Sequence, residues 1–280
     1  MSIDTGKIMR IGLDLVGWNK IPPDSAVHHY GENISKVLIT VDVTTAELML
    51  AKSIGCDAVI AHHPIGVSSL NFHRVLDRHI DYMIENGIPK DVAKDVVKKL
   101  KDRVEVKSHS NIYNQVVAAA KILKMPLLNI HQPCDEYMRR IILKKIKSKK
   151  KFENISDIIK SVREIPEFRN AATRPKARYG SLKNEVRRWA LVLAAGTNGG
   201  SSIAKLYYQY GISTVIYLHI DYADLVKLKE EKIQGNLVVL GHLAGDSIGL
   251  NALGDALEAN GIEAVRLGII SPSYNNKKIS

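Results

Sequence analysis

Two apolar runs on either side of one capped helix constrain this chain more than any other feature. Val37-Leu-Ile-Thr-Val41 is a continuous, mostly β-branched run, as in strands buried on both faces. Thr44 and Glu47 form a Thr-x-x-Glu capping box. The helix it opens is predicted to end near Ile54, with Gly55 at a left-handed C-cap. Ala58 to Ala61 then reads as a second short buried strand. Strand, helix and strand in this order make a βαβ unit, whose strands are expected to run parallel. Asp42 after the first strand and His62-His63-Pro64 after the second therefore emerge at one edge of the sheet. Open α/β sheets place ligand sites at that edge. Imidazole binds transition metals at neutral pH without first losing a charge. Pro64 ends the strand and keeps His63 extended. Neighbouring side chains in extended chain point to opposite sides, so His62 and His63 are expected to diverge, which suits two adjacent ions. The competing reading is a pair of loop histidines with no partner.

Other strand ends repeat the pattern. Ser213 to Leu218 reads as a strand ending at His219, and Leu237 to Leu240 as one ending at Gly241-His242. Asp246 follows His242 by four residues, so both can face one metal if that segment is helical. The plainer reading of Asp246 is an N-cap of the helix that follows, about Ser247 to Asn260. Leu127 to Ile130 reads as a further strand, and Val104 and Val106 as a short strand ending at His109. Ile8 to Leu15 also has strand-like residues. His28-His29 lies in a loop without a preceding strand. Gly196-Thr-Asn-Gly-Gly-Ser201 opens a helix, but its spacing fits neither a dinucleotide fingerprint nor a P-loop.

Composition limits the classes. The chain has 280 residues, 45% hydrophobic, with no apolar run of membrane-spanning length and no signal segment, so a cytoplasmic protein is expected. Cys56 and Cys134 have no metal-ligand spacing, so metals must be held by His and carboxylates. Much of the +11 net charge falls in one acid-free stretch from Arg139 to Lys151. It lacks the interleaved aromatics of a nucleic-acid surface and reads as exposed helix end and linker. The expected organisation is an N-terminal α/β domain over 1–135, a basic helical connecting region over 136–188 and a C-terminal α/β part over 189–280, with mixed, largely parallel sheets.

The stretches Val37 to Thr44 and Asp57-Ala-Val-Ile-Ala-His-His-Pro64 resemble the N-terminal signature of the GTP cyclohydrolase 1 type 2 homologue family, the Nif-three-like dinuclear-metal proteins. Ser108-His-Ser-Asn-Ile-Tyr113 is similar to that family's His-Thr-Asn-Leu-Asp segment, and Gly241-His-Leu-Ala-Gly-Asp246 to its Gly-His-Tyr-x-x-Glu motif. The glycine-rich turn at 196–201 has a family counterpart too. The likeness runs in order along nearly the whole chain, omitting the basic middle. It implies two α/β domains with a dinuclear cleft between them, a toroidal homohexamer, and one or two divalent ions per chain, Zn, Fe, Mn or Ni. Carried over by position, the metal ligands are His62, His63, His242 and Asp246. His109 becomes a candidate general base or replacement ligand. Tyr113 stands where the family has a ligating Asp, Asp246 where it has a bridging Glu, and His219 falls in a Thr-Gly-Glu position. The Tyr113 and Asp246 departures remove negative charge or reach and predict a weakened site. The implied function is metal-dependent hydrolysis of a nucleotide or other phosphorylated small molecule. The alternatives are a non-enzymatic hexameric metal-binding or scaffold protein and, third, a nucleic-acid binder; no membrane role is expected.

Overall fold

A computed structural model describes residues 3–149, 151–194 and 199–273. Among the described residues the strands are β1 (Ala26–His29), β2 (Lys36–Thr40), β3 (Ala58–Ala61), β4 (Leu127–Asn129), β5 (Lys176–Tyr179), β6 (Trp189–Leu191), β7 (Thr214–Tyr217), β8 (Asn236–Val239) and β9 (Glu263–Leu267). They form two sheets, ordered β1-β4-β3-β2-β9 and β5-β8-β7-β6. Each sheet is parallel except for one antiparallel strand, β1 in the first and β5 in the second.

The chain divides into two compact units: residues 1–75, 101–137 and 248–269, and residues 76–100, 138–247 and 270–280. This partition is interleaved, where local pattern suggested three consecutive segments. The cause is a long-range pairing. Strand β9 lies parallel to β2, from Lys36↔Glu263 to Thr40↔Leu267, and takes 248–269 into the first unit.

In the first unit the βαβ prediction holds. Strands β2 and β3 pair in parallel from Val37↔Ala58 to Thr40↔Ala61. The helix between them, Thr45–Ser53, starts at a complete capping box: the Ala46 amide donates to Thr44 Oγ1 at 3.1 Å, and the Thr44 amide to Glu47 Oε2 at 2.6 Å. Asp57 clamps the register. Its Oδ2 accepts from the Ser35 amide, the Ser35 hydroxyl and the Lys36 amide at 2.8–2.9 Å. Side-chain alternation then builds two apolar layers. Val37, Ile39, Ala58 and Ile60 pack on one face with Ile8, Ile130, Leu250 and Leu253. Leu38, Val59 and Ala61 pack on the other with Leu48, Ala51 and Ala120. Helix His242–Ala259 comes very close to the start of helix Gln132–Lys147, since a Cβ on Gly249 would sit 2.4 Å from the Cys134 carbonyl oxygen.

Three local expectations change. Ile8 to Leu15 is helical, part of Thr5–Asp14, with Asp4 accepting from the Lys7 amide at 2.7 Å as N-cap. Its apolar residues cover one side of the sheet, so burial on one face overrides strand propensity. Val104 and Val106 belong to helix Lys90–His109, whose buried Ala93 and Val97 recur at helical spacing. His28 and His29 end the edge strand β1, where His28 Nε2 lies 2.9 Å from Asn129 Oδ1. The glycine-rich turn falls partly on 195–198, outside the described residues.

In the second unit, Ala190, Val192, Val215, Tyr217 and Leu237 pack with Ile203, Ala204 and Tyr207 of helix Gly200–Gln209. Tyr217 is fully buried and donates its hydroxyl to the Gly200 carbonyl at 2.9 Å. The basic stretch is the second half of helix Gln132–Lys147 and its exit, apart from Lys150, which is not described. Its apolar face, Met138, Ile142 and Ile146, is buried. Lys145 and Lys149 both pair with Glu164, and the Arg139 guanidinium lies 4.5 Å from the Tyr82 ring centroid. Among the described residues no helix is long and apolar enough to cross a membrane. Cys56 and Cys134 are buried and form no disulfide.

His79 in the second unit is fully buried, and desolvation, then the neighbouring Arg78 charge, push its imidazole down to about 3. The folded state thus disfavours a proton that the unfolded chain accepts near pH 6.5. Stability from this group is complete above pH 6.5 and falls as pH drops from there towards 3, by about 1.4 kcal/mol per pH unit for one proton. Denaturant midpoints at pH 7, 6 and 5 should show this slope, and His79→Gln should lessen it by about one proton.

Candidate metal centre

Three adjacent parallel strands of the first unit deliver their C-terminal ends to one place. Strand β2 leads to Asp42, β3 to His62 and His63, and β4 to His131. The His62 amide donates to the Thr40 carbonyl at 2.9 Å and the His63 amide to the Val41 carbonyl at 3.0 Å, so the pair remains tied to β2 beyond the strand. The two rings lie 5.3 Å apart between centroids, with His131 4.7 Å from His62 and 5.9 Å from His63. One ring nitrogen from each of the three lies within 4.8 Å of the others, an arrangement able to hold a metal ion. The divergence expected for consecutive extended residues is therefore incomplete.

The other ring nitrogens are engaged. His62 Nδ1 lies 3.2 Å from the Ile130 carbonyl oxygen, His63 Nδ1 2.7 Å from Asp42 Oδ1, and His131 Nδ1 2.7 Å from Asp24 Oδ2. A carbonyl oxygen and carboxylates accept hydrogen bonds, so Nδ1 is the protonated nitrogen in each neutral ring and Nε2 carries the lone pair. Metal-binding histidines are usually oriented by such partners. Asp24 is itself fully buried, and Ser25 Oγ accepts from the His131 amide at 3.0 Å. Asn129 completes this support, donating to the Asp24 carbonyl at 2.7 Å and accepting from the Ser68 hydroxyl at 2.8 Å. Phe72 stands edge-on to His131, 5.5 Å between centroids, and supplies an apolar wall.

Asp135 decides whether the donor set suits a cation. It sits one turn into helix Gln132–Lys147, so His131 and Asp135 share a helical face. Its oxygens lie 3.3 Å from His62 Nε2 and 3.3 Å from His131 Nε2. The residue is 2% exposed, and neither oxygen accepts a hydrogen bond among the described residues. A buried carboxylate without donors is costly unless a positive charge faces it. Three imidazole nitrogens with a buried carboxylate between two of them fit a divalent ion.

The second unit contributes a pair of its own. Helix His242–Ala259 starts at His242, so Asp246 lies one turn inside it and is not its N-cap. His242 Nε2 is 3.3 Å from Asp246 Oδ2, and Asp246 is 2% exposed. The His219 ring stacks on His242 at 4.6 Å. His109 is exposed at the last residue of helix Lys90–His109 and joins no metal-capable group among the described residues. Tyr113 is exposed in the turn after it. A His-x-x-x-Asp spacing is present in the cluster as His131-Gln-Pro-Cys-Asp135. Reading strand ends for histidine reaches His62, His63, His219 and His242 but passes over His131. The signal was available, since β4 ends two residues before a His-x-x-x-Asp.

A family model described as Duf34/NIF3 (NGG1p interacting factor 3) matches residues 26–276. The chain belongs to the Duf34/NIF3 family. A crystal structure of a NIF3 superfamily protein from Sphaerobacter thermophilus is 38% identical, covers 95% of this chain and 98% of its own, and superposes with a TM-score of 0.91. Reduced HcgD from Methanocaldococcus jannaschii, 12% identical over 96% of this chain and 99% of its own, has a TM-score of 0.61. TTHA1606 from Thermus thermophilus, 14% identical over 96% and 99%, has a TM-score of 0.56. The last two share the fold. No curated protein matches the chain. In this NIF3-family chain, residue groups able to hold a metal ion are thus present on the family's two-sheet α/β fold.

Asp24 holds the His131 ring through Nδ1, the nitrogen opposite the one that faces Asp135. Asp24→Asn should therefore weaken zinc binding about 10–100-fold with the fold retained. Competitive titration against a chromophoric chelator measures the change, and His109→Ala should leave affinity unaltered.

Proposed function

We propose that this chain is a divalent-metal protein whose ions serve hydrolysis of a nucleotide or other phosphorylated small molecule. The observation that carries the reading is the buried Asp135 carboxylate, 3.3 Å from two imidazole nitrogens and without a hydrogen-bond donor. In this reading His62, His63, His131 and Asp135 are ligands, and His242 with Asp246 supplies ligands for a second ion. The donors are nitrogen and oxygen with no sulfur, a set that suits Zn, Fe(II), Mn or Ni better than Mg or Ca. A divalent ion held there supplies a Lewis acid and a bound water of lowered pKa.

The chain's own residues prepare the site. Asp24, Asp42 and the Ile130 carbonyl keep three Nδ1 protons in place, so three Nε2 lone pairs face outward from rings that cannot easily rotate. Phe72 and the full burial of His62 keep bulk water from the His131 side. The homohexamer implied by the family resemblance belongs to the same proposal.

Elemental analysis of protein purified without an affinity tag should find two divalent ions per chain, and Asp135→Asn should lose at least one. GTP and a panel of phosphate monoesters should be turned over by the loaded protein and not after chelation. Protein that takes up no zinc on titration overturns the metal reading. Full loading with no turnover of any member of the panel replaces the hydrolase with a metal-binding scaffold. Light scattering should give six chains per particle, and a monomer mass removes the hexamer.

A further inference from the structure

The second unit holds a cavity of about 370 Å³ at the C-terminal ends of β7 and β8. Its polar lining is Thr173, Arg174, Arg178, His219, Tyr222 and His242. No Asp or Glu lines it. Arg178 lies on the exposed side of edge strand β5. Arg174, in the segment just before, is anchored by its Nη1, which donates to the Arg169 carbonyl at 2.5 Å. Neither guanidinium pairs with a carboxylate among the described residues. The cavity thus carries two guanidinium groups without a carboxylate counter-charge, unlike the basic helix of this same unit, where Glu164 pairs with Lys145.

Backbone geometry adds to the positive potential. Helices Tyr222–Glu230 and His242–Ala259 both begin at cavity-lining residues, so their first amides lie at its rim. Gly241 joins β8 to the second helix at φ +119, and a Cβ there would approach Thr173 Oγ1 to 3.0 Å. Glycine therefore keeps this corner open. Leu225 and Val239 supply apolar wall on the same cavity.

We propose that this cavity binds the phosphate group of a phosphate monoester, with Arg174 and Arg178 clamping it and the organic part lying against Leu225 and Val239. Two guanidinium forks offer more directed donors than a single carboxylate can accept, and they suit a tetrahedral dianion. The volume lies in the small-molecule range of about 300–1,000 Å³, too confined for a nucleic-acid strand. The apolar wall selects an ester over free phosphate. His242 borders the cavity and is also a proposed metal ligand, so the inference names the substrate class for the function proposed above; to that extent it rests on that reading.

The test is isothermal titration of the full-length protein, zinc-loaded and chelator-treated in parallel, with ribose 5-phosphate, inorganic phosphate and ribose. Ribose 5-phosphate should bind saturably in both metal states and more tightly than inorganic phosphate, and ribose should not bind. The double variant Arg174→Gln, Arg178→Gln should bind ribose 5-phosphate about tenfold more weakly or worse, with zinc uptake unchanged. Arg174→Lys with Arg178→Lys should fall between, and this pair decides the matter if the Gln pair does not fold. Equal binding by the parent and the arginine variants overturns the proposal. Equal affinity for phosphate and ester overturns the ester assignment. Binding that needs zinc and ignores the arginines places the anion on the ion, so the metal reading survives and this one falls. Arginine-dependent binding by a protein that takes up no zinc has the opposite meaning.

Discussion

A carboxylate removed from water among three imidazoles governs the first unit. Asp135 accepts no hydrogen bond among the described residues, and burying an uncompensated carboxylate costs several kcal/mol. The surroundings place ring nitrogens of His62 and His131 3.3 Å from its oxygens, an arrangement in which a cation could offset that cost. Ring orientation is fixed from outside by Asp24, Asp42 and a main-chain oxygen. Those partners are fixed in turn by the sheet: Asp42 follows β2, His62 and His63 follow β3, and His131 follows β4, with Asp24 just ahead of β1. Parallel pairing places three strand ends side by side, and it depends on the Asp57 clamp and the capped helix that joins β2 to β3. The chemistry of the cluster is thus an outcome of sheet register.

The second unit deals with charge in a different way. Its long basic helix buries an apolar face and meets Glu164 and Tyr82 with its cations. Those charges are accounted for by folding. Arg174 and Arg178 are not, and they sit where strands end and two helices begin. A basic balance of +11 is therefore not one property. Part of it is solvated helix surface, and part is concentrated on a small concavity where a counter-charge would be gained on binding.

Local pattern was enough for the βαβ unit and for β4, β7 and β8, and it announced the last long helix, which starts at His242 rather than near Ser247. Each strand is announced by a run of apolar or β-branched residues next to a cap, a glycine or a proline. The pair His62-His63 was legible because it ends such a run. His131 follows the run Leu127 to Ile130 just as directly, but it stands alone, without the second histidine and the proline that mark 62–64. Asp24 could not be found from pattern at all, since its role depends on a contact between residues 107 positions apart. Ile8 to Leu15 misled because Ile and Leu serve one-sided helix burial as well as strands. The interleaving of the two units was equally hidden, for the pairing of β9 with β2 joins residues more than two hundred positions apart. The family's His-Thr-Asn-Leu-Asp resembles 108–113 locally, and a His-x-x-x-Asp also stands at 131–135, where His131 Nε2 lies 3.3 Å from an Asp135 oxygen.

At Gly249 the helix His242–Ala259 touches the backbone of Cys134, the residue immediately before Asp135. Alanine is ordinarily the better helix former by about 1 kcal/mol. Here a single methyl group would push against a carbonyl oxygen that cannot swing aside, and the neighbouring carboxylate would be carried with it. Helix propensity and the placement of the Asp135 carboxylate are thus opposed at this site. A designer who raised stability by filling helix glycines with alanine would, at this one position, be editing the donor cluster without touching any residue in it.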